Sequence, residues 1–261
     1  MQIPDFVKRK EAHAKISCVT CYDYPYAQLL AKTDIDFLLV GDSVAMVVHG
    51  HPSTLQADVD MMCLHTSAVA RGAGGKFLVT DMPFLEHRKG LAEAVSAAQR
   101  LLRAGANAIK IEGAEGNLET IRSLVTAGVP VMGHVGLTPQ FVNAFGGFKV
   151  QGRESAAAAQ IVADAKALEA VGVFAMVAEG VPASLGKLVA ESVSVPIIGI
   201  GAGVDVDGQV LVLQDMLGLN PKIPRFVRVF ADVATISLDG LNAFDRAVKA
   251  GTFPTAAESY T

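Results

Sequence analysis

Cysteine is scarce, with three residues in 261, too few for a disulfide framework. Cys18-Val-Thr-Cys21 has the spacing of a redox or zinc pair, but it lies inside an expected first strand, where residues three apart face opposite sides. No further thiolates or paired histidines are spaced to complete a zinc site, so these read as ordinary buried thiols. Charge of one sign is also scarce: the net charge is −4 and the basic residues are scattered, which argues against a nucleic-acid partner. Although mean hydropathy is positive, no apolar run approaches the roughly 18 residues of a membrane span. Met1–Lys15 is polar and lacks the apolar core of a secretion signal. No Pro/Ser-rich linker or low-complexity block marks a boundary. The expectation is a single domain over 1–261, cytoplasmic, with no membrane and no nucleic acid.

What is present is alternation. Apolar runs of strand length end in a polar residue at Ile16–Asp23, Phe37–Asp42, Phe77–Asp81, Ala108–Glu112, Val129–His134 and Val173–Glu179, and Val195–Gly203 ends in glycine. Between them lie segments of helical period: Pro25–Ala31, Asp58–Arg71, Leu91–Ala104, Leu118–Ala127, Glu154–Val171, Ser184–Glu191 and Gln209–Leu217. Strands alternating with helices imply right-handed crossovers and a parallel sheet. Seven strands are clear, and an eighth is expected near Phe226–Phe230. An open doubly wound sheet would carry a glycine loop after its first strand, where Asp23-Tyr24-Pro25-Tyr26 stands instead. The expectation is an α/β (β/α)8 TIM barrel, a fold of about 250 residues with its site at the C-terminal strand ends.

Several polar groups would meet there. Asp42, Asp81 and Glu112 close three different strands, and oxygen donors without thiolates suit a hard cation, Mg²⁺ first. The alternative is that each aspartate caps the helix or turn that follows it. Lys110 and Glu112 lie two apart in Ala-Ile-Lys-Ile-Glu-Gly and therefore share a face. Lys110 could serve as an amine nucleophile, an anion clamp or an ion-pair partner. Neighbouring acids keep its proton on, which disfavours the nucleophile. His134 sits in a glycine frame and is either a structural hydrogen-bonding group or a ligand contact. Partial burial of Glu179 would raise its pKa toward that of a general base, unless it only caps a helix N-terminus.

Two long connections, Ser43–Ala57 and Gly136–Arg153, have the length of lids or packed loops. His49 and His51 in the first lack further ligands, so exposed or packing roles are expected. Gly199-Ile-Gly-Ala-Gly203 lacks the dinucleotide fingerprint and reads as room for a cosubstrate beside the backbone.

Longer motifs appear in order: Gly41-Asp42-Ser43, His65-Thr66, Asp81-Met-Pro-Phe84, Arg103-Ala-Gly-Ala106, Ile109-Lys-Ile-Glu-Gly113, Gly133-His-Val-Gly-Leu-Thr-Pro-Gln140, Gly146-Gly-Phe-Lys-Val-Gln-Gly152 and Ile198-Gly-Ile-Gly-Ala-Gly203. Collinear from about Ile3 to Thr252, they closely resemble the ketopantoate (3-methyl-2-oxobutanoate) hydroxymethyltransferase family. The resemblance implies a barrel of the phosphoenolpyruvate/pyruvate superfamily type, assembled as a homodecamer. It implies transfer of a hydroxymethyl group from 5,10-methylenetetrahydrofolate to 3-methyl-2-oxobutanoate, giving 2-dehydropantoate in pantothenate biosynthesis. By resemblance, Asp42, Asp81 and Glu112 hold one Mg²⁺ per subunit, and Asp42, Ser43, Asp81 and Lys110 bind the ketoacid with His134 near it. Glu179 matches the general base. Leu85-Glu86-His87-Arg88 is more charged than the family's usual Ser-Tyr, and Gly180 stands where cysteine or another small residue is usual. Competing expectations are a related Mg-dependent 2-oxo acid carbon–carbon lyase or phosphonomutase, whose Lys/Arg-Cys-Gly loop motif is missing here, and a non-catalytic ligand-binding barrel.

Overall fold

A computed structural model describes all residues, Met1–Thr261. The chain divides into two compact units, Met1–Val212 and Leu213–Thr261. The first is a closed barrel of eight parallel strands paired in chain order, β8 returning to β1. The strands are β1 (Ile16–Thr20), β2 (Phe37–Val40), β3 (Phe77–Asp81), β4 (Ala108–Lys110), β5 (Val131–Gly136), β6 (Ala175–Glu179), β7 (Ile197–Ile200) and β8 (Gly208–Leu211). Strands β2, β3 and β4 are buried along their whole length, which is why they read as continuous apolar runs rather than alternating ones.

Helices fill the connections where the periodicity predicts them, as α2 (Tyr24–Leu30), α4 (Val59–Gly72), α5 (Leu91–Arg103), α6 (Leu118–Thr126), α8 (Ser155–Ala170) and α9 (Ala183–Ser192); α1 (Ile3–Glu11) before β1 and the short α3 (Val44–Val47) and α7 (Val142–Phe145) in the two long connections are helices it does not predict. Asp23 and Asp58 cap α2 and α4, their carboxylates accepting the N–H of Tyr26 and Met61, as Asp commonly does at helix starts.

One element differs from expectation. Phe226–Phe230 is irregular, and the eighth strand is Gly208–Leu211, overlapping the start of the segment expected to be helical, Gln209–Leu217. The barrel closes here because Gly208 has no side chain: a Cβ would stand 2.3 Å from the Ile16 carbonyl oxygen across the β8–β1 seam. A four-residue strand leaves too little alternation to be told from one helical turn.

The lower mouth is plugged. Phe6 of α1 enters the ring formed by Phe37, Phe77 and Phe174, meeting each edge-on at centroid distances of 5.3, 5.4 and 4.9 Å, a favourable aromatic geometry. Lys10 fixes α1 in place, donating to the carbonyls of Ala190 and Val195 and to Asp207. With the N-terminal end closed, the polar strand ends gather at the other.

The second unit carries the short α10 (Leu213–Met216) and α11 (Val233–Lys249). Asp232 caps α11 through the Thr235 N–H, and Phe244 packs edge-on against Phe253 at 5.6 Å.

Candidate active site

The C-terminal ends of β3 to β6 bring their polar side chains into one buried cluster. Asp81 and Lys110 are register partners on β3 and β4, and Lys110 Nζ lies 3.2 Å from Asp81 Oδ1, 3.6 Å from Glu112 Oε1 and 3.2 Å from His134 Nδ1. Lys110 and Glu112 do share a face, as the alternation requires. Asp42 joins from the end of β2, its backbone N–H donating to Asp81 Oδ2 at 3.0 Å. Neither Asp42 nor Asp81 caps a helix with its carboxylate. The capping alternative therefore does not hold for these two aspartates.

Burial and mutual repulsion set the protonation states. Burial pushes the carboxyls of Asp42 and Asp81 up, and the neighbouring acids add to it, while Lys110 only partly offsets both. Burial also pushes on Glu112, but the Lys110 ammonium and His134 outweigh it and hold this carboxyl below its ordinary range. Burial works against the Lys110 ammonium, yet Asp81, Glu112 and Asp42 together raise its pKa above normal. Lys110 is thus a cation, as the sequence argument required. His134 is pushed down by burial and then by Lys110, so its ring is neutral. His134 Nδ1 also lies 3.4 Å from Glu112 Oε1; in the tautomer in which Nδ1 accepts from the Lys110 ammonium, which only donates, the ring proton sits on Nε2. That nitrogen has no hydrogen-bond partner and faces Glu179 Oε2 at 3.5 Å.

Glu179 ends β6 at the rim, with its side chain 17% exposed. Burial first, then the charge of Glu112, raises its pKa from 4.5 to about 8. It does not cap α9, which begins four residues later behind Pro182. Gly136, its register partner on β5, has φ +89°, and a Cβ there would stand 2.4 Å from the Glu179 carbonyl oxygen. Only glycine lets β5 and β6 end this close together.

Ser43 begins the turn into α3, and its Oγ is 2.7 Å from the Tyr22 hydroxyl at the end of β1. His49 and His51 are exposed; the Nε2 atoms of His49 and His65 are 2.8 Å apart, outside the cluster. Cys18 and Cys21 are free and buried. In the Gly199–Gly203 loop the glycines serve packing within the chain: Cβ atoms on Gly199 and Gly203 would stand 2.8 Å from Val206 and 2.5 Å from Ala183.

Sequence reasoning missed Gln140. Its backbone N–H donates to Glu112 Oε2 at 3.0 Å, and its side-chain amide donates to Asp42 Oδ2 at 2.8 Å and the Met82 carbonyl at 2.9 Å. It was visible only as the last letter of Gly-His-Val-Gly-Leu-Thr-Pro-Gln. Asn117 was missed too; its amide donates to the carbonyls of Glu112 and Gly113.

The donor set suits a hard divalent cation. Three buried carboxyl groups stand against one ammonium and a neutral ring, and Asp81 Oδ1 has the Lys110 ammonium at 3.2 Å beside it. No three acid, histidine or cysteine side chains form a ready-made cage, so an ion held here would draw water or substrate oxygens into its shell, as Mg²⁺ does.

Known proteins share this fold. In solved structures the fold recurs in 2,3-dimethylmalate lyase, a member of the PEP mutase/isocitrate lyase superfamily (TM-score 0.61, 13% identity, 99% of this chain and 91% of that one). It recurs in a phosphonopyruvate hydrolase complexed with oxalate and Mg²⁺ (TM-score 0.62, 12% identity, 100% and 92%). At such identities the likeness concerns the fold alone. Sequence relatives are much nearer. The 3-methyl-2-oxobutanoate hydroxymethyltransferase of Bdellovibrio bacteriovorus is 50% identical over 260 residues, 99% of both chains. Its namesake in Legionella pneumophila is 49% identical over 262 residues, the full length of both. The family model described as ketopantoate hydroxymethyltransferase matches residues 1–256, a span that includes every strand end and every polar group of the cluster; the chain belongs to the ketopantoate hydroxymethyltransferase family.

Proposed function

We propose that this chain transfers a hydroxymethyl group from 5,10-methylenetetrahydrofolate to 3-methyl-2-oxobutanoate, forming 2-dehydropantoate for pantothenate biosynthesis. The single observation that carries the reading is Glu179, a rim carboxylate with its pKa raised to about 8, beside a buried cation and a surplus of acids. Asp42 and Asp81 would hold Mg²⁺, with Glu112 completing the acidic set. When bound, that ion supplies Lewis-acid polarisation of the 2-oxo acid carbonyl.

The rest is the work of the chain's own groups. Lys110, kept protonated by its acids, offsets the substrate carboxylate and the negative charge that develops on the keto oxygen. Ser43, oriented by Tyr22, supplies a hydroxyl to the ketoacid. Glu179 takes the C3 proton as general base, and the N–H of His134 Nε2 aims at its carboxylate. The C3 carbanion then forms a carbon–carbon bond to the folate's one-carbon unit, whose two bonds to folate nitrogen break in turn, the nitrogens taking up the C3 proton and a proton of water. One water is taken up as the product hydroxyl, and tetrahydrofolate leaves.

A homodecamer in the cytoplasm completes the reading. No helix is long and apolar enough to cross a membrane, and no residue of α11 is buried, so Ile236, Leu241 and Phe244 offer apolar surface to an assembly. The deciding experiment incubates the protein with Mg²⁺, 3-methyl-2-oxobutanoate and methylenetetrahydrofolate and looks for 2-dehydropantoate. Absence of product while a lyase or phosphonomutase substrate is cleaved would overturn the proposal.

A further inference from the structure

Glu112 is held from two ends, and both holds lead to the same turn. Its Oε2 accepts the Gln140 N–H, and its backbone carbonyl accepts from Asn117 Nδ2 at 2.8 Å. The turn Leu85–Lys89 follows β3, pinned by Leu85 in the left-handed region at φ +63°. It is where the sequence departs from the family's usual Ser-Tyr.

His87 points inward from this turn and is 3% exposed, and neither ring nitrogen has a well-formed hydrogen bond. Asn117 stands against it. Two carbonyls accept from the Asn117 amide, Glu112 at 2.8 Å and Gly113 at 3.0 Å, so the nitrogen must face them and Oδ1 must face away. That Oδ1 is buried and otherwise unpaired, and the Asn117 side chain facing the ring favours the imidazole proton. An acceptor lacking a donor thus meets a neutral ring with one N–H to give. Buried polar groups carry a cost when unpaired, so the two gain by engaging each other, and doing so fixes which way the Asn117 amide faces.

Arg88 points the other way. Its Nη2 donates to the Glu115 carbonyl at 2.7 Å, and its guanidinium lies 5.9 Å from the centroid of the Phe141 ring. Phe141 follows Gln140 directly and covers Gly113, where an added Cβ would lie 3.5 Å from the ring. Consecutive residues of one turn thereby reach the loops after β4 and β5, which carry the two holds on Glu112.

We infer that His87 and Arg88 are positioning residues for Glu112, His87 acting through Asn117 and Arg88 through Phe141 and Gln140. Neither touches the reacting atoms. The inference rests on the proposed role of Glu112 in the acidic set, and it gives the charged turn of this chain a task in the same site.

The test uses Mn²⁺ as the probe ion, its affinity read by electron paramagnetic resonance on the full chain, beside kcat and KM for the ketoacid. His87→Phe and Arg88→Met should each weaken Mn²⁺ about tenfold, the usual scale for partners behind a metal ligand, and raise KM more than they lower kcat. His87→Asn, whose amide can donate to Asn117 Oδ1, should recover most of the loss. The His87→Phe, Asn117→Ala double variant should be no weaker than Asn117→Ala alone. Arg88 is exposed, so Arg88→Met keeps the test available if His87→Phe does not fold. Wild-type Mn²⁺ affinity in both single variants, or a His87→Asn variant no better than His87→Phe, would overturn the inference. A wild-type protein that binds Mn²⁺ but forms no 2-dehydropantoate would instead sink the proposed reaction, leaving the positioning result readable.

Discussion

His134 Nε2 lies 3.5 Å from Glu179 Oε2 while its Nδ1 faces Lys110 at 3.2 Å, so one neutral ring joins the buried cation to the rim carboxylate. The ring cannot take a second proton cheaply, because burial and Lys110 both oppose it. A proton arriving at this rim therefore belongs on Glu179.

Glu179→Gln should slow loss of deuterium from C3-labelled 3-methyl-2-oxobutanoate by roughly 10²–10⁴-fold, the scale of general-base catalysis. Ketoacid binding, measured by calorimetry, should change little. Exchange at the wild-type rate would remove Glu179 from the base role.

The same carboxyl predicts two opposite pH trends. Its basic form appears as pH rises through the folded value of about 8, so C3 exchange, measured with Mg²⁺ present, should climb with pH. Stability should move the other way. Between 4.5 and about 8 the folded state holds a proton that the unfolded state has lost, so this group's contribution is full below 4.5 and declines as pH rises. Chemical denaturation against pH should show a shallower decline in Glu179→Gln; an unchanged slope would mean the carboxyl titrates normally.

Lys110→Met leaves the buried acids with no cation beside them. Removing one partner of a buried ion pair costs about 3–5 kcal/mol, and the loss should be greatest at neutral pH and partly recovered in acid, where Asp42 and Asp81 take up protons. Thermal unfolding at pH 5 and pH 7.5 checks both; equal losses at the two values would argue against the charge account.

Mg²⁺ should stabilise the folded protein, by about 2.7 kcal/mol at a hundredfold excess over its Kd, and Asp81→Asn should abolish that gain while keeping the fold. A melting curve that ignores Mg²⁺ in the wild type would contradict a cation site among Asp42, Asp81 and Glu112.

Gln140→Ala should cost about 1–3 kcal/mol, because the Met82 carbonyl and Asp42 Oδ2 lose their buried donor. The Glu112 contact is made by the backbone and survives. Denaturant titration measures the cost, and a neutral substitution would show that water replaces the amide.

Much of this protein was written in local pattern. Runs such as Phe77–Asp81 state their strand, their burial and the polar group at their end in one stretch, because a parallel strand covered on both faces needs apolar residues throughout and can place charge only where it emerges. Hence Asp81, Lys110, Glu112, His134 and Glu179 were legible as strand-end groups before any coordinates. The short β8 was not, since its place in the barrel is decided by the fit of Gly208 against Ile16, a contact nearly two hundred residues away in the chain. Nor were Gln140, Asn117, His87 and Arg88, which carry no periodic signal and take their meaning from the groups opposite them. The sequence by itself determined the alternation of elements and the inventory of charges at the strand ends. Only barrel closure decided which charges touch, which ring stays neutral and which carboxyl keeps its proton, because those depend on distance and burial, and both arise when remote strands meet.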